Sequence, residues 1–209
     1  AGDNVSVTAS FSEAVIVDNS SGNPSITLAV GSDNRTAIYA SGDNSTQLVF
    51  RYTILAGDND SDGISIRASV LALNDGTISD RASNIATDLS HREVLDNSSV
   101  MVDTTSPTVR SVSITGAEGV QNSFLNAGDN VSVTASFSEA VIVDNSSGNP
   151  SITLAVGSDN RTAIYASGDN STELVFRYTI QSGYNDSNGI SIGANALDNN
   201  SSTIRDRAG

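Results

Sequence analysis

The chain contains two copies of one sequence, and this internal repeat constrains its fold more than any other feature. A shift of 126 positions superimposes residues 1–54 on residues 127–180 with a single difference, Gln47 against Glu173. Between residues 55–83 and 181–209 the match continues without a gap at 16 of 29 positions. Because repeated sequences fold as repeated structural units, we expect two domains of one architecture.

The segment between the copies locates the domain boundary. Residues 84–126 occur only once, and they contain the linker-like stretch Asp103–Pro107. We therefore divide the chain into residues 1–103 and 104–209. A full unit is expected to begin near Pro107, so that the first copy lacks its first strand and the second copy lacks its last. The near-identity of the copies is typical of recent duplication, and we interpret the chain as an excerpt of a longer tandem array.

Apolar and polar residues alternate in several short runs, which is the pattern of half-buried β-strands. Val5, Val7, Ala9 and Phe11 form one such run, and residues 48–54 contain another. Clusters of Asp, Asn, Ser and Gly separate the runs as turns, and no stretch has a helical period. About seven short strands in a unit of roughly 100 residues predict two tandem immunoglobulin-like Greek-key β-sandwich domains.

Charge and composition exclude several classes of partner and chemistry. The chain has 24 acidic and 10 basic residues, a formal charge of -14 and no cysteine. Binding to nucleic acid or to an anionic membrane requires clustered basic residues, so we expect neither. Without cysteine there is no disulfide framework, thiol catalysis or cysteine-based zinc site. No apolar run has the roughly 18 residues of a membrane span, and we predict no membrane insertion.

Four short stretches resemble a known family in their order and spacing. These stretches are Phe11–Val15, Ala56–Ile64, Asp80–Asn84 and Val102–Pro107. They are similar to the tandem Ig-like extender repeats of very large bacterial RTX-type adhesins, which type I systems secrete, including the spacer repeats of ice-binding adhesins. The resemblance covers essentially the whole chain. It implies an extracellular rod at the cell surface, with calcium at domain junctions, that holds a distal ligand-binding domain away from the cell.

Strand order in an Ig-like chain predicts where the acidic loops lie. Successive antiparallel strands reverse direction, so end-to-end units would bring the acidic loops of one unit toward those of the next. In this argument Glu139 ends its strand. Calcium takes six to eight oxygen ligands, and crowded carboxylates without a cation repel one another. We therefore predict Ca²⁺, although Asp also favours turns for its local hydrogen bonds. The predicted ligands are Asp3, Asp58, Asp60, Asp62, Asp103, Glu139 and Asp206, with Glu13, Asp80, Asp129 and Asp186 as further candidates.

The loop Asp58–Gly63 matches the first half of the EF-hand pattern. The second half fails, because Ser69 stands where the pattern requires a bidentate glutamate and no helix flanks the loop. A calcium site in a β-loop is therefore favoured over an EF-hand. In the second copy Tyr184 and Asn188 replace two of the three aspartates, which weakens any metal site at that loop.

We predict a structural module rather than an enzyme, because His91 is the only histidine and Lys and Cys are absent. The predicted function is a calcium-rigidified extender of a giant cell-surface adhesin, whose partners are neighbouring repeats of the same chain or identical chains. The alternative is a repeat unit of a glycosylated surface filament or S-layer-type protein, in which units missing a strand complete one another. Thirteen Asn-x-Ser/Thr sequons carry this alternative: Asn4, Asn19, Asn34, Asn44, Asn59, Asn97, Asn130, Asn145, Asn160, Asn170, Asn185, Asn199 and Asn200.

Overall fold

The computed structural model describes residues 1–209, and its regular elements are all β-strands. The chain divides into two compact units, Ala1–Thr105 and Ser106–Gly209. The boundary lies two residues beyond the predicted division at Asp103. Each unit contains a curled antiparallel sheet, so the prediction of an all-β chain is confirmed.

Unit one has six strands. Their order across the sheet is β5-β2-β3-β4-β1-β6. Residues 84–105 contain no regular strand, and they form three isolated bridges with the rest of the unit, Ile85 with Ser79, Val94 with Ile66 and Val102 with Asp60. The strands are β1 (Asn4–Asp18), β2 (Ser25–Val30), β3 (Asp33–Ser41), β4 (Ser45–Thr53), β5 (Leu71–Ala72) and β6 (Thr77–Asp80).

Unit two has seven strands and repeats this order. Its sheet runs β12-β9-β10-β11-β8-β13, and β7 pairs with β8. The strand β7 has no counterpart in unit one, because it belongs to the part of the sequence that occurs once. The strands are β7 (Val109–Glu118), β8 (Asn130–Asp144), β9 (Ser151–Val156), β10 (Asp159–Ser167), β11 (Ser171–Thr179), β12 (Ser191–Asp198) and β13 (Thr203–Arg205).

Buried and more exposed side chains alternate along the strands, and the buried ones form the core of each unit. Along β4 the side chains of Leu48, Phe50 and Tyr52 are buried, while those between them are more exposed. Tyr39 packs edge-on against Phe50, with 6.1 Å between the ring centroids. The same arrangement recurs in unit two between Tyr165 and Phe176 at 6.1 Å. Each sheet therefore buries one face, and the burial of apolar side chains on that face stabilises the unit.

The hairpin between β3 and β4 depends on one glycine. Gly42 has φ of 105°, and a Cβ atom there would lie 2.1 Å from the carbonyl oxygen of Gln47. Gly168, at the same position of unit two, has φ of 108° and the same close neighbour at Glu173. Only glycine tolerates both this conformation and this approach of backbone.

One premise of the sequence analysis is wrong: Glu139 lies within a strand rather than at its end. β8 continues to Asp144, because residues 142–144 remain extended and pair with β13. β1 in unit one is equally long and pairs with β4 along its first part and with β6 along its last. In both units the pairing of this long strand shifts register at the same positions of the repeat. Glu139 lies within the shifted stretch of unit two.

Candidate functional site

Asp58 is part of a buried hydrogen-bond network in the loop after β4. Its carboxylate accepts hydrogen bonds from Arg35 Nε at 2.7 Å, from the Leu55 amide at 2.8 Å and from the Tyr52 hydroxyl. Only 1% of Asp58 is exposed. Arg35 lies on β3 and Tyr52 on β4, so two neighbouring strands hold the loop through one carboxylate.

The electrostatics of Asp58 follow from this network. Burial by itself would raise the pKa of Asp58, but the hydrogen bonds from Tyr52, Leu55 and Arg35 and the charge of Arg35 outweigh it and lower that pKa. Burial and the neighbouring Asp58 together raise the pKa of Tyr52. The carboxylate is therefore ionised at neutral pH and is neutralised within unit one. These contacts give Asp58 a structural role, and calcium binding by this residue stays a prediction.

Asp60 is also engaged inside its own unit. Its carboxylate accepts hydrogen bonds from the amides of Gly31 at 2.8 Å, Gly63 at 2.7 Å and Asp62 at 3.3 Å. Burial acts to raise the pKa of Asp60, and these amides outweigh burial and lower it. Asp60 thus fastens its loop to the turn between β2 and β3.

Unit two replaces the Asp58 ion pair with an aromatic contact. Tyr184 stands at the position of Asp58, and the Cζ atom of Arg161 lies 3.7 Å from the centroid of its ring. This is a cation–π contact. Two buried atoms are left without a hydrogen bond there, Arg161 Nε and the Tyr178 hydroxyl. The substitution therefore removes a metal-ligand candidate and leaves two polar atoms unsatisfied.

Asp186 retains the role of Asp60 in unit two. It accepts hydrogen bonds from the amides of Gly157 at 2.9 Å, Gly189 at 2.8 Å and Asn188 at 3.1 Å. The Gly157 amide is the main cause of its lowered pKa. The same fastening of loop to turn is thus present in both units.

Three acidic side chains lie close enough together that they could hold one metal ion. Asp103, Glu139 and Asp206 each offer a carboxylate oxygen, and these oxygens all lie within 4.8 Å of one another. Asp103 is exposed, Glu139 is half-buried and Asp206 is only 7% exposed. No other group of three or more His, Cys, Asp or Glu side chains in the structure meets this condition. The group contains three of the seven predicted ligands.

The course of β8 explains the position of two members of this group. The pairing of β8 with β11 shifts register between Ser136 and Val141, and Glu139 lies in that irregular stretch. β13 runs beside the end of β8, and Asp206 is the residue that follows β13. Asp206 accepts a hydrogen bond from the amide of Gly209 at 2.7 Å.

The segment that follows Asp103 is fixed next to Glu139. The Thr108 amide donates to Ser138 Oγ at 2.9 Å, and the Ser138 amide donates to the Thr108 carbonyl at 2.8 Å. The Asp103 carboxylate itself accepts a hydrogen bond from the Thr105 amide at 2.9 Å. The contacts between Thr108 and Ser138 thus hold the start of unit two against β8.

The donor set fits calcium. Calcium binds oxygen ligands at about 2.3–2.6 Å, so two ligands of one ion are separated by at most roughly 5 Å. The separations in the group satisfy this limit. Carboxylates this close together repel one another, and a divalent cation among them would replace that repulsion with attraction. Carbonyl oxygens and water would have to complete the coordination.

The other predicted ligands lie outside this group. Asp3, Asp62 and Glu13 are exposed. Asp80 accepts hydrogen bonds from the amides of Ala82 and Asn84, both at 2.8 Å. Asp129 accepts one from the Asn126 amide at 2.6 Å. The residues that belong to no group of three are Asp3, Glu13, Asp58, Asp60, Asp62, Asp80, Asp129 and Asp186.

His91 has a structural environment. The Val70 amide donates to its Nε2 at 3.0 Å, and its Nδ1 lies 2.8 Å from the Arg92 carbonyl oxygen. Because Nε2 accepts a hydrogen bond, the proton is assigned to Nδ1. Both ring nitrogens are therefore engaged with backbone groups, which ties the segment around residue 91 to the residues before β5.

The sequon asparagines lie at the surface of the units. Twelve of the thirteen are exposed, and Asn130 is half-buried. Asn200 differs in its contacts, because its side-chain amide donates to the Asn149 carbonyl at 3.1 Å and to Ser151 Oγ at 2.7 Å. A glycan on that nitrogen would compete with both hydrogen bonds.

Comparison of the chain with protein-family models, with curated proteins and with solved structures finds no match. The structure also contains no helix with the length and hydrophobicity that a membrane span requires.

Two residues that matter at the loop after β4 were missing from the sequence-based site. Arg35 and Tyr52 neutralise and bind Asp58, although they lie 23 and 6 positions from it. The sequence signal for these two residues is the alternation of apolar and polar residues along β3 and β4. That alternation predicts that both residues lie on strands next to the loop. That pattern indicates the strands but not which side chains meet across them.

Proposed function

We propose that the chain is a structural extender of a large cell-surface adhesin, in which bound calcium restricts motion and the repeated units hold a distal binding domain away from the cell. The proposal rests on one observation, the group formed by Asp103, Glu139 and Asp206. Its three carboxylate oxygens lie within 4.8 Å of one another, which is close enough for one calcium ion to contact all three. An extracellular location is part of the proposal, since calcium is abundant there.

The proposed fold within this account is an Ig-like Greek key. Strands β2, β3 and β4 are consecutive antiparallel neighbours, and β1 lies beside β4, which gives the order 2-3-4-1. This order supports the proposal, because a Greek key has the same strand order when it is read from the opposite end of the chain. Unit two has the same order in β9, β10, β11 and β8, which supports one topology for both copies.

A calcium titration of the intact chain tests the metal site. Isothermal titration calorimetry should detect binding that the double variant Glu139→Gln/Asp206→Asn loses. The matched control is Glu13→Gln/Asp80→Asn, which changes the same two sequence positions in unit one and should leave that binding intact. Equal calcium binding by both double variants would contradict the site.

A second experiment tests rigidity. The chain has no cysteine, so spin labels can be attached specifically through Thr46→Cys and Thr172→Cys, which are exposed positions. We expect calcium to narrow the distribution of distances between the labels, and Glu139→Gln/Asp206→Asn to remove this effect. A distribution of unchanged width would contradict the extender function even if calcium binds.

The second candidate function is a repeat of a glycosylated surface filament or S-layer-type protein. The exposure of twelve of the thirteen sequon asparagines favours it, since glycan transfer requires accessible side chains. Intact mass measurement of the protein from its native source tests this candidate. Added hexose and hexosamine mass would support it, and the mass of the bare polypeptide would exclude it.

A further inference from the structure

In unit one, three donors bind the two oxygens of the Asp58 carboxylate. Oδ1 accepts a hydrogen bond from Arg35 Nε at 2.7 Å. Oδ2 accepts hydrogen bonds from the Leu55 amide at 2.8 Å and from the Tyr52 hydroxyl. Because only 1% of Asp58 is exposed, these donors form a buried site for a planar carboxylate. We call these three donors and their equivalents in unit two the carboxylate site.

Unit two retains the donors of the carboxylate site but not the aspartate. Arg161, Tyr178 and Gln181 stand at the positions of the three donor residues, and Tyr184 replaces the aspartate. Two of the donor atoms, Arg161 Nε and the Tyr178 hydroxyl, are buried without a hydrogen-bond partner. A buried donor without an acceptor destabilises the folded state, because it has lost its hydrogen bonds to water. The two atoms therefore form a site that favours an acceptor from outside the chain.

Other contacts hold the guanidinium group of Arg161 in place. Its Nη2 forms an ion pair with Asp159 Oδ2 at 3.0 Å, and its Nη1 donates a hydrogen bond to the Asn160 carbonyl at 3.1 Å. Arg35 in unit one has the equivalent ion pair with Asp33, at 2.9 Å. These contacts engage the outer nitrogens of Arg161 and leave Nε as the buried, unpartnered donor of the group.

The surroundings of the two donor atoms restrict the ligand that they would bind. Burial is the largest cause of the raised pKa of Tyr178, although the charge of Arg161 acts to lower it. The Tyr178 hydroxyl therefore keeps its proton at neutral pH and can donate it in a hydrogen bond. The ring centroid of Tyr184 lies 3.7 Å from Cζ of Arg161, so we expect room only for a small ligand.

We propose that Arg161 Nε and the Tyr178 hydroxyl bind a small free carboxylate ion, of which formate is the smallest. One oxygen of the ion would accept a hydrogen bond from Arg161, and the other would accept from Tyr178 and from the Gln181 amide. A carboxylate is favoured over a spherical anion, because the donors in unit one contact two different oxygens. The site needs no calcium and does not depend on the extender function.

A titration of the intact chain with sodium formate tests the site. The readout is the side-chain Nε–H signal of each arginine in ¹H–¹⁵N NMR spectra. We expect the Arg161 signal to shift and to reach saturation, whereas the Arg35 signal should not move, because Asp58 already occupies its site. Sodium chloride at the same ionic strength is the control for screening. No shift of Arg161, a shift without saturation, or the same shift with chloride would overturn the proposal.

Three variants test whether the ion binds at these donors. Tyr178→Phe removes one donor and keeps the ring, so formate should bind at least about tenfold more weakly. Tyr184→Asp supplies a carboxylate from the chain and should abolish the response of Arg161. Asp58→Tyr gives unit one the residues of unit two, so the Arg35 signal should begin to respond to formate. Undiminished binding by Tyr178→Phe or Tyr184→Asp, or an unresponsive Arg35 in Asp58→Tyr, would contradict the proposal.

Discussion

Arg35 and Asp58 form an ion pair of 2.7 Å in unit one, where the side chain of Asp58 is fully buried. The near-identical sequence of unit two contains the same arginine, Arg161, but has Tyr184 in place of the aspartate. The arginine there lies against the tyrosine ring, and its Nε is buried without a hydrogen bond. The equivalent arginine therefore contacts a carboxylate in unit one and an aromatic ring in unit two. Each unit serves as a control for substitutions in the other.

Exchanging the two residues should change the stability of the units in opposite directions. Asp58→Tyr removes the acceptor of hydrogen bonds from Arg35 and Tyr52 and should destabilise unit one by about 2 kcal/mol. Tyr184→Asp supplies an acceptor for Arg161 and Tyr178 and should stabilise unit two by about 1 kcal/mol, after the loss of the cation–π contact.

Differential scanning calorimetry of the intact chain measures both effects, since each variant should shift one transition. Asp33→Ala is the matched control, because Asp33 makes an exposed ion pair with the same Arg35. Exposed pairs contribute little, so this variant should change the free energy of unfolding by less than about 1 kcal/mol. A loss as large as that of Asp58→Tyr would show that the buried carboxylate has no special role.

Unit one should be the more acid-sensitive unit. Asp58 and Asp60 both have lowered pKa values in the folded state. A carboxylate with a lowered folded pKa contributes stability that is complete above its unfolded pKa, about 3.9, and is lost as the pH falls through the folded pKa. In unit two Asp186 is equivalent to Asp60, but Tyr184 replaces Asp58. Unit two should therefore lose less stability as the pH falls.

Calorimetric scans between about pH 7 and about pH 3 check this difference, since the acid range of carboxylate titration lies within them. The transition that Asp58→Tyr identifies as unit one should fall faster with acid. In the Asp58→Tyr variant its pH dependence should approach that of unit two. Parallel decline of both wild-type transitions would contradict the role given to Asp58.

Gly63 and Gly189 occupy the same position of the repeat but tolerate a side chain differently. Both have positive φ, 109° and 95°. A Cβ atom on Gly63 would lie 2.0 Å from the Asn97 carbonyl oxygen, whereas one on Gly189 has no neighbour within 4 Å. Gly63→Ala should therefore lower the free energy of unfolding by about 2 kcal/mol more than Gly189→Ala. Both substitutions strain the backbone, but only the one at Gly63 also creates a steric clash. Urea unfolding of the two variants measures the difference, and equal losses would contradict the packing of residue 97.

Much of the fold follows from sequence patterns. The alternation of Val5, Val7, Ala9 and Phe11 predicts a strand, and these residues lie on β1. The repeat and the linker-like stretch near Asp103 predict a division that differs by two residues from the observed boundary. Local patterns cannot show that β1 and β8 continue past their glutamate, because that continuation depends on pairing with β6 and β13 from much later in the chain.

The candidate site could be predicted only in part. Asp103, Glu139 and Asp206 were expected to meet, and their carboxylates lie together. Asp58 and Asp60 were expected to join them, but their hydrogen-bond partners are Arg35, Tyr52 and backbone amides of their own unit. The spacing of acidic residues in a loop sequence is the same whether their carboxylates bind a metal or accept hydrogen bonds from the amides of a turn. The partner residues decide between these roles, and they are distant in sequence.

Thermal unfolding of the intact chain in saturating calcium and in excess EDTA tests the central claim most directly. An ion that binds only the folded state at 100 times its dissociation constant adds about 2.7 kcal/mol, which raises the melting temperature of a 100-residue unit by roughly 10 °C. We predict such a rise for the wild type and for Glu13→Gln/Asp80→Asn, and its loss in Glu139→Gln/Asp206→Asn. The same melting temperature for the wild type in calcium and in EDTA would contradict the account.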